Sequence, residues 1–426
     1  MPQIKEILVS SNPWWKEEFG SGFKDREVYK DIEKYMPLPQ IIAITGLRRV
    51  GKTSLMYKMV EDGIAQSTDP KNVVYFPFDE AIAGDIRQVL KEYEELMGVD
   101  IGKGHYLLLL DEIQKLDGWE NQLKAVYDRY KGSLKIIISG SESLFIRKMS
   151  KETLAGRIFE FKVDTLSFSE FVSFRSFNPK PVGLHEKELK KLFDEFSRSM
   201  GFPELVDVTD RAIIRKYVRE SIIDKIMYKD IPGLFKVEDP AILDSLLNII
   251  SEDPGQIIEL NSLATELKVS RHTIASYLSY LERSFLIRKL YNYSTNRRKV
   301  ERKLKRYYPA MISVDLLFRD DDHSKSRVFE WQMVTQLKAE FFWRDPSKNE
   351  VDIVMPGNPP VPIEVKYGKL DTSGLSAFMR KFNVGKGYII SREKEESITV
   401  DGKKVTAVPA FKFLLDTHKA RLTLRK

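Results

Sequence analysis

The chain has no cysteine and no long apolar run, and both absences exclude whole classes of protein. Without cysteine there is no disulfide, no thiol nucleophile and no zinc–thiolate site. No run approaches the roughly 18 apolar residues that a membrane span needs. The N-terminal residues lack the apolar core of a signal peptide. We therefore expect a soluble, cytoplasmic protein with no membrane partner.

Length and charge indicate several domains and a polyanionic partner. The chain has 426 residues, more than one ordinary domain, and its 42% hydrophobic content is enough for packed cores. Its net charge of +7 is unevenly spread. Ten lysines and arginines lie between Arg283 and Arg306, with Glu301 as the one acid among them. Such a cluster is typical either of a nucleic-acid surface or of a solvated face, and its place in the chain favours nucleic acid.

The most informative motif is GLRRVGKT, residues 46–53. An apolar run precedes it and a helical pattern follows, which is the strand, glycine loop, helix order of a phosphate-binding loop. Its backbone amides and the positive end of the helix attract a polyphosphate. Lys52 is expected to reach the β- and γ-phosphates and Thr53 to hold Mg²⁺. The predicted ATP-binding residues are Gly46, Leu47, Arg48, Arg49, Val50, Gly51, Lys52, Thr53 and Ser54, joined by Asp111.

A second motif predicts hydrolysis of the nucleotide. The apolar run 105–110 leads directly into Asp111 and Glu112, as expected for a central parallel strand that ends in paired acids. Placed after a phosphate-binding loop, this is the Walker B arrangement. Asp111 is predicted to orient Mg²⁺, and Glu112 to act as the general base that polarises the attacking water.

Two further groups are candidates for sensing or stabilising the γ-phosphate. The apolar run 134–139 ends in Gly-Ser-Glu-Ser, so either Ser139 or Ser141 is a candidate sensor, and turn capping by these hydroxyls is an equal alternative. Arg157 is the preferred arginine finger or sensor. Arg147, Arg48 and Arg49 compete for that role, and surface solvation is the alternative for each.

Together these segments resemble the archaeal-type AAA+ ATPase family, whose relatives are often grouped with STAND-like signalling ATPases. The resemblance rests on NPWW (12–15), GLRRVGKT, LLLLDEIQKLDGWE (107–120), IIISGSES, LAGR (154–157), LSFSEF (166–171), GFPELV (201–206) and YKDIPGLFKVEDP (228–240). The resemblance covers nearly the whole chain and implies that the protein is an ATPase. Trp14 and Trp15 then either line the base pocket or plug the core. AAA+ sites often borrow an arginine from a neighbour, and the sequence leaves open whether the protein is a homo-oligomer.

The middle of the chain has the pattern of a winged helix-turn-helix. A helix over 263–267 and a turn at 268–270 precede a helix over 271–282, capped by Ser270 and carrying a buried stripe. A strand over 285–293 and a basic wing follow. The predicted DNA contacts are Arg271, His272, Arg283, Arg297, Arg298 and Lys299, with Tyr291, Tyr293, Tyr307 and Tyr308 among them. The alternatives are a protein-interaction module or a structural spacer.

The last hundred or so residues predict a second chemical centre. A helix over 328–339, strands over 340–344, 350–355 and 361–366, a helix over 373–382 and a strand over 387–391 give an α-β-β-β-α-β core. Alternation along a strand puts Glu364 and Lys366 on one face. With Asp352 and Glu330 they predict a Mg²⁺ site held by carboxylates, where Lys366 positions or deprotonates a water.

This ordered set resembles the PD-(D/E)XK nucleases of the restriction-endonuclease-like fold, although the acid lies in EVDIV rather than after a proline. The resemblance implies a Mg-dependent nuclease with Glu330, Asp352 and Glu364 as ligands. Buried ion pairs in a scaffolding domain are the alternative.

The predicted fold class is α/β. It comprises a P-loop AAA+ core (1–171), a helical lid (172–235), a winged helix-turn-helix (236–310) and a restriction-endonuclease-like domain (311–426). The leading functional hypothesis is an ATP- and Mg²⁺-dependent ATPase that acts on DNA. The main alternative is a STAND-like switch that signals to a protein partner, and a chaperone-like remodeller is a third.

Overall fold

A computed structural model describes residues 4–66, 69–79, 85–140, 153–235, 237–296, 298, 300 and 304–415. It divides the chain into two compact units, residues 1–165 and 166–426. Each unit is described by itself. None of the described helices has the length and apolar character required to span a bilayer.

The first unit is built from a five-stranded sheet and the helices on its faces. Its helices are α1 (Ile4–Ser11), α2 (Glu27–Glu33), α3 (Lys52–Ala65), α4 (Ile86–Met97) and α5 (Trp119–Tyr130). Its strands are β1 (Ile41–Thr45), β2 (Val73–Pro77), β3 (Tyr106–Asp111), β4 (Leu134–Gly140) and β5 (Ile158–Lys162). Short 3₁₀ helices lie at Pro13–Trp15, Pro70–Asn72, Ile101–Lys103 and Ile113–Lys115.

All neighbouring strands of this sheet are parallel, in the order β2-β3-β4-β1-β5. β1, β2 and β3 are buried along their whole length, because helices cover both faces of a parallel sheet. The five carboxyl ends therefore meet at one edge, where open α/β sheets bind ligands. β4 lies between β1 and β3, so the tip of β4 ends between the strand that leads into the glycine loop and the strand that ends at Asp111.

The NPWW segment covers the free edge of β2. The Asn12 side chain donates to Tyr75 O at 2.8 Å and accepts from Tyr75 N at 2.7 Å, as a neighbouring strand would. The indole nitrogens of Trp14 and Trp15 both donate to Val73 O at 2.9 Å. Trp14 is buried and Trp15 is half-buried. Of the two roles that the sequence left open, these contacts favour a structural one, because both tryptophans donate to the same carbonyl at the edge of β2 and so hold the segment against the sheet.

The second unit contains the remaining helices. They are α6 (Phe168–Phe174), α7 (Glu186–Ser199), α8 (Arg211–Lys216), α9 (Ile231–Leu234), α10 (Pro240–Glu252), α11 (Leu260–Glu266), α12 (Arg271–Arg283), α13 (Val314–Leu317), α14 (Asp322–Gln336), α15 (Ser373–Lys381) and α16 (Ala410–Leu415). Two π-helical stretches, Tyr217–Ile223 and Ile226–Asp230, follow α8. Short 3₁₀ helices lie at Val182–Leu184 and Pro203–Leu205.

Its strands form two sheets. They are β6 (Gln256–Ile257), β7 (Ile287–Asn292), β8 (Lys305–Pro309), β9 (Phe341–Arg344), β10 (Glu350–Val351), β11 (Ile353–Met355), β12 (Val361–Lys366), β13 (Lys386–Ser391), β14 (Glu396–Val400) and β15 (Lys403–Pro409). One sheet has the order β10-β9-β7-β8-β6 and the other β11-β12-β13-β15-β14.

Helices α11 and α12 are joined by a short turn, and β7 and β8 then pair antiparallel. Ser270 caps α12 by accepting from Thr273 N at 3.0 Å, as its sequence position predicts. Ile274, Leu278 and Leu281 are buried, in agreement with the predicted stripe.

The prediction of one continuous strand over 350–355 is wrong, because the structure has two strands there. The segment is broken at Asp352 into β10 and β11, which belong to different sheets. β9 pairs parallel with β7, so one sheet includes strands from both sides of position 311. The last expected strand is also followed by a further antiparallel pair, β14 and β15.

Candidate functional site

The glycine loop is shaped by its backbone. Gly46 has a φ of 151°, and a Cβ at this position would collide with the carbonyl oxygen of Val163. Gly51 has a φ of 94° and stands immediately before α3. Both conformations favour glycine, so the two glycines of the motif are required by the path of the loop.

Lys52 lies inside this loop. It is 6% exposed, and its Nζ donates to Leu47 O at 2.9 Å and to Gly46 O at 3.3 Å. Thr53 follows it in the first turn of α3, where the helix amides and dipole present positive potential. Lys52 and Thr53 therefore lie where the sequence predicts a triphosphate to bind.

Asp111 is buried at the end of β3 and accepts hydrogen bonds from three other elements. Oδ2 accepts from Thr53 Oγ1 at 2.8 Å and from Tyr75 OH at 2.7 Å. Oδ1 accepts from Ser139 Oγ and, at 3.1 Å, from Glu112 N. These donors fix the carboxylate beside Thr53. A hydroxyl and a carboxylate form a fitting donor set for Mg²⁺, which usually takes one or two carboxylates and completes its shell with phosphates and water.

Glu112 begins the turn after β3 with a φ of 51°. This left-handed conformation directs the chain away from the strand, and the side chain is half-buried rather than enclosed. Its Oε2 accepts from Gln114 Nε2 at 2.6 Å. The Glu112 carboxylate therefore lies, half-buried, one residue after Asp111 at the carboxyl edge of the sheet.

Ser139 is buried at the tip of β4 and donates to Asp111, so it is tied to the acid rather than capping a turn. Glu112 N also donates to Ser139 Oγ at 3.2 Å. Of the alternatives that the sequence left open, Ser139 has the position expected of a sensor. Ser141 and Arg147 lie outside the described residues.

Arg157 does not lie at this site. It immediately precedes β5, and Ile41 N donates to its carbonyl oxygen at 2.7 Å. Ile41 starts β1, whereas the glycine loop follows Thr45, so about 13 Å of strand separates the two edges. The side chain forms an ion pair with Asp128 at 2.9 Å. Arg157 therefore lies at the opposite edge of the sheet from the glycine loop of its own chain, because a parallel strand places its two ends at opposite edges, and its role as an arginine finger or sensor stays a prediction.

Two residues at the site carry no sequence signal. Tyr75 on β2 donates to Asp111, and burial, followed by the charge of Asp111, raises the pKa of Tyr75. Arg26, 5% exposed, donates to Val50 O at 2.7 Å and to Asp164 O at 2.8 Å, which links the glycine loop to the segment after β5. Neither belongs to a motif, and only the pairing of distant segments brings them to the loop.

In the second unit the predicted carboxylates lie close together, but with an additional cation. Arg306 of β8 pairs with Glu330 at 3.1 Å, with Asp352 at 3.7 Å and with Glu350. Tyr308 OH donates to Glu330 at 2.6 Å. We call the set Arg306, Tyr308, Glu330, Glu350, Asp352, Glu364 and Lys366 the C-terminal cluster.

The other half of the C-terminal cluster lies on β12. Lys366 pairs with Glu364 at 2.7 Å, and Asp352 accepts from Val365 N at 2.9 Å. Burial, followed by the charge of Asp352, raises the pKa of both Glu330 and Glu364. Within the described part of the chain, no group of three or more histidine, aspartate or glutamate side chains is arranged to hold a metal ion. The predicted ligand set Glu330, Asp352 and Glu364 therefore does not fit Mg²⁺ in this structure.

Four of the six predicted DNA-binding residues are described by the structure, and all four are exposed, as expected. Arg271, His272 and Arg283 on α12 and Arg298 are exposed, while Arg297 and Lys299 lie outside the described residues. Two members of the basic cluster differ from expectation, because Arg306 is held among carboxylates and Lys289 pairs with Glu282 at 2.8 Å. Tyr307 and Tyr308 are buried, so neither presents a ring face for a base to stack on.

Comparison with known proteins finds a family match over the part of the chain that contains the glycine loop and Asp111. Residues 38–172 match a family described as an AAA domain. Residues 191–310 match a domain of unknown function (DUF8612), and residues 329–411 match another (DUF4143). The first unit thus contains a P-loop ATPase-like domain, and none of the three matches identifies a DNA-binding or nuclease function.

Some of the similar proteins match most of the length of the chain. Two uncharacterized proteins of Methanocaldococcus jannaschii are each 26% identical to it: MJ1544 over 92% of both chains, and MJ1637 over 92% of this chain and 88% of its own. Among solved structures, the Walker-type ATPase PABY2304 of Pyrococcus abyssi is 16% identical, with a TM-score of 0.41, covering 71% of this chain and 99% of that one. A likeness of this size does not establish a shared function.

Proposed function

We propose that the chain binds ATP with Mg²⁺ in the glycine loop, hydrolyses it, and uses the cycle to act on DNA. The observation that carries the first part is the convergence of Lys52, Thr53 and Asp111 at one edge of a parallel sheet, with Thr53 Oγ1 2.8 Å from Asp111 Oδ2. Since the match to an AAA domain covers the same residues, the geometry and the comparison support one site.

Each side chain has a distinct role in this proposal. Lys52 offsets charge on the transferring phosphoryl group, and the amides at the start of α3 bind its oxygens. Thr53 and Asp111 are the residues that would hold Mg²⁺, which neutralises phosphate charge when bound. Glu112 accepts the proton of the attacking water. Ser139 and Tyr75 hold Asp111 in place through their hydroxyls.

Two substitutions test the hydrolysis. Lys52→Ala is expected to abolish ATP binding, measured by calorimetry, because it removes the cation from the loop. Glu112→Gln is expected to bind ATP normally but to hydrolyse it roughly 10²–10⁴-fold more slowly, since an amide cannot accept the proton. Lys58→Ala is the matched control, because Lys58 is on the same helix but pairs with Glu61 and Asp62. Normal turnover in the Glu112→Gln protein would show that another group is the base.

The proposed action on DNA is supported by the exposed cations of α12. Arg271, His272 and Arg283 lie on a helix that follows a short turn after α11, the arrangement with which helix-turn-helix proteins enter the major groove. Arg298 adds positive charge beyond β7. Phosphate contacts of this kind give binding that falls steeply as salt rises.

We expect ATP turnover to rise when DNA is added, and the double substitution Arg271→Gln/Arg283→Gln to weaken DNA binding and reduce the salt slope by about two. The double substitution Lys187→Gln/Lys229→Gln removes the same charge from exposed positions elsewhere and serves as the control. Equal DNA affinity in the two double variants would contradict the proposal. It would favour the alternative hypothesis, a STAND-like ATP-driven switch that signals to a protein partner, with the C-terminal domain as the binding platform.

A nuclease activity of the C-terminal cluster is a further functional hypothesis. The carboxylates are present, but their contacts with Arg306 and the absence of a metal-holding group among the described residues weigh against it. We do not include DNA cleavage in the proposed function.

A further inference from the structure

The C-terminal cluster is organised around one buried arginine. The Arg306 side chain is 11% exposed, and its Nη1 lies 3.1 Å from Glu330 and 3.7 Å from Asp352, while Nη2 contacts Glu350. Nη1 also donates to Tyr308 OH at 3.3 Å. These carboxylates come from α14, β10 and the residue between β10 and β11. One guanidinium therefore connects three segments of the second unit to β8.

The charges of the C-terminal cluster explain why this cation is needed. The cluster contains four carboxylates, from Glu330, Glu350, Asp352 and Glu364, and two cations, Arg306 and Lys366. A third cation lies beside it, since Arg344 Nε is 3.5 Å from Glu350. Buried carboxylates without a compensating cation repel one another and are costly to desolvate. Because arginine stays protonated at any ordinary pH, Arg306 supplies a permanent positive charge that offsets part of theirs.

Arg306 and a divalent metal exclude each other at this position. Mg²⁺ requires near-octahedral oxygen ligands at about 2.0–2.1 Å and keeps several waters. A metal held by Glu330 and Asp352 would lie in contact with the guanidinium that pairs with both, so two like charges would meet in a buried space. Lys366, moreover, is paired with Glu364 at 2.7 Å.

We propose that the Arg306 guanidinium takes the place of the divalent cation, so that the C-terminal cluster is a metal-independent ion-pair network joining β8 to α14 and β10. In this arrangement Arg306 and the carboxylates hold β8, α14 and the junction of β10 with β11 together and do not bind Mg²⁺. The proposal concerns residues outside the ATP site, and its outcome is independent of whether the first unit hydrolyses ATP.

Mn²⁺ titration of the full chain without nucleotide, followed by electron paramagnetic resonance, tests this proposal. Wild type and Asp352→Asn are expected to bind the same number of Mn²⁺ ions, because the cluster holds none. Arg306→Met is expected to bind one additional Mn²⁺ per chain, and the double variant Arg306→Met/Asp352→Asn to lose it. Lys305→Met is the matched control, because Lys305 is next to Arg306 on β8 and its side chain points to the opposite face of the strand. This variant is expected to bind no additional Mn²⁺.

Two results would overturn the proposal. One is a Mn²⁺ ion in the wild type that Asp352→Asn or Glu364→Gln removes, which would mean that the carboxylates bind metal despite Arg306. The other is a folded Arg306→Met protein that gains no ion. If Arg306→Met fails to fold, as judged by circular dichroism, the comparison of wild type with Asp352→Asn and Glu364→Gln decides: equal counts support the proposal and unequal counts overturn it.

Discussion

At the scale of single residues, Asp111 shows how a short motif depends on distant donors. Its two oxygens accept from Thr53 on α3, Tyr75 on β2, Ser139 on β4 and the backbone of Glu112. A hydrogen bond to a charged acceptor contributes about 1.5–3 kcal/mol. The tyrosine hydroxyl is the one donor of the four that no nucleotide-binding motif contains.

Tyr75→Phe removes this hydroxyl while keeping the ring. We expect the Mg²⁺ concentration that gives half-maximal ATP turnover to rise about tenfold, the equivalent of about 1.4 kcal/mol, because Asp111 is less firmly placed. Steady-state ATPase assays at varied Mg²⁺ measure this effect.

Tyr93→Phe is the matched control, because it also removes a hydrogen-bonded tyrosine hydroxyl. The Tyr93 hydroxyl donates to Lys71 O at 2.6 Å and does not contact Asp111. If the two variants require the same Mg²⁺ concentration, Thr53 and Ser139 are sufficient to hold Asp111.

At the scale of elements, the glycine loop is fixed by what lies beside it. The loop passes so close to the segment after β5 that Gly46 faces the Val163 carbonyl without room for a methyl group. Arg26 joins the same two segments through Val50 O and Asp164 O. The loop is thus held in place by tertiary contacts as well as by its own glycines.

Gly46→Ala is expected to lower the free energy of unfolding of the first unit by about 1–3 kcal/mol and to weaken ATP binding, because the loop must leave a conformation that L-residues avoid. Urea unfolding and calorimetry measure the two effects. Gly20→Ala is the control, since a Cβ there meets no atom within 4 Å and its φ is ordinary. Unchanged stability and ATP affinity in Gly46→Ala would show that the loop can relax.

At the scale of the whole molecule, the second unit joins regions that the sequence separates. β9 lies beyond position 311 but pairs with β7, and the Asn292 side chain extends the pairing by donating to Arg344 O at 2.9 Å. Trp343 on β9 is 1% exposed and packs against Phe378 of α15. The strands that follow α12 and the C-terminal part of the second unit therefore share buried contacts.

Trp343→Ala is expected to cost about 3–5 kcal/mol of stability and to raise hydrogen exchange in β7 and β8 as well as in β9, because these strands form one sheet. Hydrogen exchange followed by mass spectrometry measures both. Leu184→Ala, at a position 78% exposed, is expected to change neither. Faster exchange confined to residues after 311 would indicate two domains that unfold independently, as the predicted boundary at 310/311 implies.

Sequence patterns predicted the parts of the first unit that depend on contiguous residues. The strand, loop and helix around 46–53 are found as β1, a glycine loop and α3, and the apolar run before Asp111 is β3. These predictions hold because strand period and glycine spacing are local properties. The position of Arg157 at the other edge of the sheet was not predicted, since a motif does not show at which edge of the sheet it will lie.

The amino-acid sequence by itself determined the parallel strands, the two glycines of the loop and the buried stripe of α12, because local backbone sterics and side-chain periodicity set them. Only the tertiary structure decided that Tyr75 donates to Asp111, that Arg26 binds the loop and that Arg306 lies among carboxylates rather than on a basic surface. Those outcomes depend on strand register and on which sheet each strand joins. Both follow from the packing of residues far apart in the chain, which no local pattern records.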